Sequence, residues 1–171
     1  MQKMTSSYAN KILRSLEADK SYWTGLEATS STYVVANNEE PVIPEYDYEA
    51  VAARIAEIDE KIAIIKHALN LANATAKVQV GDTEMSIDTI LIKMAQLNKR
   101  KTTLDHMRKH LPKARLAQST YVSRNPVPEY RYVNYDLELA KKDYETVSQT
   151  IMEMQMALDK YNQTVEFECP L

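Results

Sequence analysis

Apolar residues along the chain recur at alternating steps of three and four. Val51, Ile55, Ile58, Ile62, Ile65 and Leu69 form one such series, and Leu137, Ala140, Tyr144, Val147, Ile151, Met154, Leu158 and Tyr161 form a longer one. This spacing places one apolar stripe along a helix and calls for a partner helix. Two further helices have less regular stripes. The first carries Ala9, Ile12, Leu16, Trp23 and Leu26, with Asp19 interrupting; the third carries Ile87, Ile90, Met94, Leu97, Leu104 and Leu111, with Lys101 interrupting. Asp47 and Asp136 stand where N-caps belong, Ser86 followed by Asp88 starts the third helix, and Pro112 marks its end.

Between the helical stretches lie short β-branched or alternating pieces: Thr32 to Ala36, Thr75 to Val80, Ser119 to Ser123, Tyr130 to Val133 and Thr164 to Glu168. Gly81-Asp82 makes a turn after the second of them. The pattern predicts a mainly α protein: a four-helix antiparallel bundle of coiled-coil-like helices, built from two duplicated helical hairpins, with short β-strands or hairpins in the connectors.

The duplication is read from the chain itself. Tyr46-Asp47-Tyr48-Glu49 recurs as Tyr135-Asp136-Leu137-Glu138, an offset of 89 residues. Carried forward, the same offset aligns Ile62 with Ile151, Ala68-Leu69 with Ala157-Leu158, Asn73 with Asn162 and Thr75 with Thr164. Upstream, Ser31-Thr32-Tyr33-Val34 matches Ser119-Thr120-Tyr121-Val122, and the segment from Pro41 resembles the one from Pro126. Amphipathic helices share seams for general reasons, but matched connectors call for a repeat. The expected organisation is a single domain over residues 1–171, with internal repeats at roughly 5–80 and 86–169.

Composition sharpens this picture. The chain has two glycines, Gly25 and Gly81, where an average chain of its length has about twelve. Phosphate-cradling loops need glycines close together, so P-loop, dinucleotide-fold and kinase chemistries are excluded. Asn73 and Asn162 then become candidates for the left-handed residue that ends a helix, a role usually taken by glycine. Net charge is −3, too small to announce a nucleic-acid or membrane partner. Cys169 is the sole cysteine and has no disulfide partner within the chain, which fits a reducing compartment. Met1 to Asn10 lacks the apolar core of a signal peptide, and no apolar run reaches the length that crosses a bilayer. A cytoplasmic protein is expected.

Asn73-Ala74-Thr75 and Asn162-Gln163-Thr164 fit a glycosylation sequon but stand at helix ends. His106 and His110 are spaced for one helix face, yet two further ligands are missing and Arg108 and Lys109 would repel a cation. No metal, cofactor or catalytic residue is expected: carboxylates form no recognisable acid–base pair, and neither a nucleophile elbow nor a di-iron Glu-Xaa-Xaa-His motif occurs. The segment from Thr89 to Arg115 holds eight basic residues and one acid, Asp105. Such a helix either tracks a phosphate backbone, with Lys99, Arg100, Lys101 and Arg108 as contacts, or lies beside acidic neighbours such as Glu57, Asp59 and Glu60. Eleven tyrosines stand against one phenylalanine. Tyr46 and Tyr48, then Tyr130, Tyr132 and Tyr135, cluster in the connectors; they either clamp extended chain to the bundle with their hydroxyls in water or, at Tyr46, Tyr48, Tyr130 and Tyr132, make a candidate interaction surface.

A heptad helix ending in Asn-Xaa-Thr, a hairpin at Gly81-Asp82-Thr83, a helix beginning near Ser86-Ile87 and a last heptad helix running into Tyr161-Asn162-Gln163-Thr164-Val165-Glu166-Phe167 together resemble the septicolysin-like family of small bacterial proteins, over roughly residues 46–168. Members typically place tryptophan where this chain has Gln163. The resemblance implies a helical fold and an oligomer, and it carries over no catalytic motif. The leading expectation is a non-enzymatic bacterial protein that self-associates as a helical scaffold or interaction module, with a homo-oligomeric or other protein partner. The alternatives are a nucleic-acid-binding accessory protein using the basic helix 89–115 and, from the family name, a membrane-active protein.

Overall fold

A computed structural model describes residues 1–116 and 128–171. The described elements run β1 (Gln2–Thr5), α1 (Ser6–Ser30), α2 (Tyr48–Thr75), β2 (Lys77–Val80), β3 (Thr83–Ser86), α3 (Ile87–Met107), β4 (Lys113–Arg115), β5 (Tyr130–Tyr132), α4 (Leu137–Thr164) and β6 (Glu166–Cys169). The fold is mainly α, with four long helices and short antiparallel strand pairs. The strands form three two-stranded sheets: β1 with β6, β2 with β3, and β4 with β5.

The long helices start and stop by the same local devices. Asp47 caps α2 by accepting from the Ala50 N–H at 3.1 Å, and Asp136 caps α4 by accepting from Glu138 and Leu139 at 2.9 and 3.1 Å. Both helices are 28 residues long. Each ends on a threonine whose hydroxyl donates to the carbonyl four residues back, Thr75 to Leu71 at 2.8 Å and Thr164 to Lys160 at 2.7 Å. A four-residue strand follows each, with the same alternation of exposed, half-buried, exposed and buried positions. Elsewhere in the chain, β1 leads into α1 as β3 leads into α3. The strand before α1 pairs with the strand after α4, and the strand before α3 pairs with the strand after α2.

Two expectations fail here. Asn73 and Asn162 do not end their helices in a left-handed conformation, because each helix continues to its threonine and no residue other than Gly81 has a positive φ among the described residues. Ala76 leaves α2 in extended backbone, and its N–H still reaches Ala72 at 2.9 Å. The chain thus passes from helix to strand without the reversal that calls for a left-handed residue. Thr32 to Ala36 is not a strand either: it runs irregular and exposed, and no described strand lies beside it to form a ladder. Ser119 to Ser123, with the repeat matches at Ser119–Val122 and Pro126-Val127, lies outside the described residues.

The chain divides into two compact units. Unit 1 comprises Met1–Val78, Ser86–Asp88 and Leu158–Leu171; unit 2 comprises Gln79–Met85 and Thr89–Ala157. In unit 1, α1 and α2 run antiparallel, fastened by Lys20–Asp59 at 2.6 Å and Lys66–Glu17 at 3.2 Å. Beneath them Met4, Ala9, Leu13, Ile65, Ala68 and Cys169 form a buried cluster flanked by Ile12, Leu16, Ile62, Ile64 and Phe167. The β1·β6 ladder supplies two of these, with Met4 opposite Phe167 and Gln2 opposite Cys169.

In unit 2, Ile90 and Leu104 on α3 and Ala140 and Met154 on α4 are buried. The end of α3 meets the start of α4, and the Gly81 turn before α3 lies near Glu153, so the two helices are antiparallel. Gly81 is required by its own backbone: its φ of 55° is a conformation other residues adopt with strain. Lys101, the break in the third apolar stripe, is half-buried with its ammonium 5.6 Å from the centre of the Tyr144 ring. Its stem packs as an apolar residue does, and its charge rests on an aromatic face. Leu111 lies beyond α3 and is exposed.

Candidate interaction surfaces

The tyrosine surface divides by environment. Tyr46 is half-buried, and its hydroxyl donates to Glu27 on α1 at 3.4 Å. Partial burial, then the Glu27 carboxylate, holds its phenol above the usual tyrosine range. Tyr46 therefore clamps the connector to α1. Tyr48, two residues on, is exposed.

Tyr130 and Tyr132 stand on one face of β5, since alternate residues of a strand share a face. The ladder places Lys113 opposite Tyr132, Ala114 opposite Arg131 and Arg115 opposite Tyr130. It extends at both ends, with Val133 N–H donating to Pro112 at 3.3 Å and Leu116 N–H to Glu129 at 2.9 Å. The Lys113 ammonium lies 4.2 Å from the Tyr130 ring centre and 5.5 Å from that of Tyr132. Both tyrosines keep much of their surface in solvent.

The basic residues separate similarly. Arg108 donates from Nε to one oxygen of Asp105 at 2.9 Å, a terminal nitrogen lies 2.7 Å from the same oxygen as an ion pair, and its guanidinium carbon lies 4.0 Å from the Tyr144 ring centre. Lys109 reaches the other oxygen at 2.5 Å. Hydrogen bonds from Lys109 and then Arg108 hold Asp105 below the usual carboxylate range. Lys101 and Arg108 are thus committed to Tyr144, whereas Lys99 and Arg100 are exposed and form no ion pair among the described residues. The suggested acidic neighbours are engaged within unit 1: Glu57 with Arg54 and Lys61, Asp59 with Lys20.

His110 and Tyr135 join the end of α3 to the start of α4. The Tyr135 hydroxyl donates to the Met107 carbonyl at 2.7 Å, and His110 Nδ1 lies 2.8 Å from the same oxygen. A phenol has one proton to give, so Nδ1 carries the hydrogen and donates to Tyr135. His106 is exposed on α3. No cluster of three or more histidine, cysteine or acidic side chains suited to a metal occurs among the described residues.

No family model matches this sequence, and no curated protein does so either. The fold is known from elsewhere. It is similar to that of a functionally unknown conserved protein from Corynebacterium diphtheriae, with a TM-score of 0.66 across 98% of this chain and 100% of that one. At 14% identity the likeness shows shared architecture. None of the described helices is long and apolar enough to cross a membrane.

Sequence reasoning missed Lys113 between the two tyrosines and Tyr144 beneath the basic side chains, and it grouped Tyr135 with the connector tyrosines without its part as the clasp of unit 2. A signal existed for the last. Tyr135 stands 89 residues after Tyr46, and both precede the capping aspartate.

Proposed function

We propose that the protein is a non-catalytic, cytoplasmic helical interaction module that self-associates through the connector between α1 and α2. One observation carries this reading. Tyr33, Val34, Val35, Val42 and Ile43 are all exposed in this connector, Val34 and Val42 by 101% and 91%. A monomer scatters single apolar side chains over its surface, but rarely lines up several along one irregular stretch. These residue types favour extended pairing, and no described strand pairs with the segment. Its unpaired amide and carbonyl groups are a template for the same segment of a second copy.

Light scattering tests the proposal. Assembly is expected to be concentration-dependent, and a V34D/V42D double variant is expected to run at the 19.6 kDa of one chain. A wild-type protein that stays at 19.6 kDa at every concentration would overturn the reading. The exposure of Tyr48 beside the connector makes it a further candidate contact.

A further inference from the structure

We infer that the β4·β5 ribbon is a binding surface for single-stranded nucleic acid, distinct from the self-association connector. Cross-strand partners in a two-stranded antiparallel ribbon lie on the same face. The register therefore gathers Lys113, Arg115, Tyr130 and Tyr132 on one face, and Ala114 and Arg131 on the other. All but Ala114 are exposed.

Charge on this face is left open. Asp105, the one acid of the basic segment, serves Arg108 and Lys109. Lys113 and Arg115 have no carboxylate partner among the described residues, and neither do Lys99 and Arg100 farther back on α3. Lys113 rests on aromatic rings instead. A polyanion fits such a surface.

The tyrosines choose among polyanions. Two rings on one strand face stand about 7 Å apart along the chain, room for one base against each. Aromatic platforms flanked by cations are the recurrent means of holding unpaired bases, with phosphates taken by lysine and arginine. An acidic peptide would use the cations and leave the rings idle. A duplex keeps its bases stacked internally and away from both rings. Tyr132, 62% exposed, is the more open platform.

The test is fluorescence anisotropy with the whole protein and a labelled oligo-dT of about twelve nucleotides, in low salt. Binding is expected to weaken as salt rises. Tyr132→Ala is expected to lower affinity by about tenfold, while Tyr132→Phe, which keeps the ring, retains it. The K113E/R115E variant should bind weakly and show a shallower salt dependence. Each variant is first checked by circular dichroism; these side chains are exposed, so wild-type spectra are expected. Absence of binding at low salt would overturn the inference. So would displacement by poly-glutamate as readily as by unlabelled oligo-dT, equal affinity for duplex, or equal affinities of the alanine and phenylalanine variants. Loss of binding in K99E/R100E but not in K113E/R115E would place the contact on α3 and equally overturn it.

Discussion

In unit 1 the chain passes from α1 to α2 through an irregular connector whose apolar side chains face solvent. In unit 2 the stretch between α3 and α4 contains the paired strands β4 and β5, which carry tyrosines and cations on one face. The fastening of the helices differs too. Unit 1 uses ion pairs between its helices, Lys20–Asp59 and Lys66–Glu17, whereas Asp105 in unit 2 pairs within its own turn and the helices meet through Tyr144 and Tyr135. Both units place a tyrosine immediately before the capping aspartate and turn it back on the preceding helix. Tyr46 reaches a side chain at 3.4 Å, Tyr135 a backbone carbonyl at 2.7 Å. One helical plan thus supports two connectors of opposite chemistry, one apolar and unpaired, the other basic, aromatic and paired.

The largest expected effects come from the cores. Ile65→Ala in unit 1 and Leu104→Ala in unit 2 each remove a fully buried side chain and are expected to cost about 2–5 kcal/mol in denaturant unfolding. Cys169 gives unit 1 its own reporter. It is buried, and burial raises its thiol above the ordinary range, so native protein should resist thiol reagents. Ile65→Ala, which opens the cluster shared with Cys169, is expected to speed that reaction.

The paired tyrosines should separate next. Tyr135→Phe removes the half-buried bond to the Met107 carbonyl together with the one to His110 and is expected to cost about 0.5–1.5 kcal/mol. Tyr46→Phe gives up one long, partly exposed bond and should stay below about 0.5 kcal/mol. Equal losses in the two variants would erase the distinction between a clasp and a clamp.

Surface charge should matter least. Lys66→Ala removes an exposed pair and is expected to shift stability by less than about 1 kcal/mol. Asp105 gives a pH signature in unit 2. Its folded pKa is lowered, so its stabilising contribution is complete above the unfolded aspartate value and is lost as pH falls through the folded one. The last turn of α3 should loosen on acidification in wild type, and Asp105→Asn should flatten that response when amide shifts are followed by NMR.

What the sequence made legible follows from how local each cause is. Heptad spacing and the caps Asp47 and Asp136 act within a turn or two, and the helices stand where those signals put them. Strands β1 and β4 were invisible because a strand of three or four residues exists through its partner, and the partner of Gln2 is Cys169. The asparagine caps failed because Thr75 and Thr164 carry each helix onward. Lys101 read as a break because hydropathy ignores the ring that receives it. The tyrosines were visible as residue types, but Lys113 was counted with the basic helix, and only the β4·β5 register shows that it lies between Tyr130 and Tyr132.

The β1·β6 ladder has a kinetic consequence. Each helical hairpin joins neighbouring stretches of chain and can zip early, whereas this ladder waits for two strands separated by most of the sequence. On the ribosome β1 is made well before β6, and Met4 has no Cys169 or Phe167 to lie against until β6 has been made. Closure of this ladder is the natural final step of folding in unit 1, and until it occurs β1 is a strand edge with an apolar side chain and no mate. That interval is when the nascent chain is most open to the wrong partner.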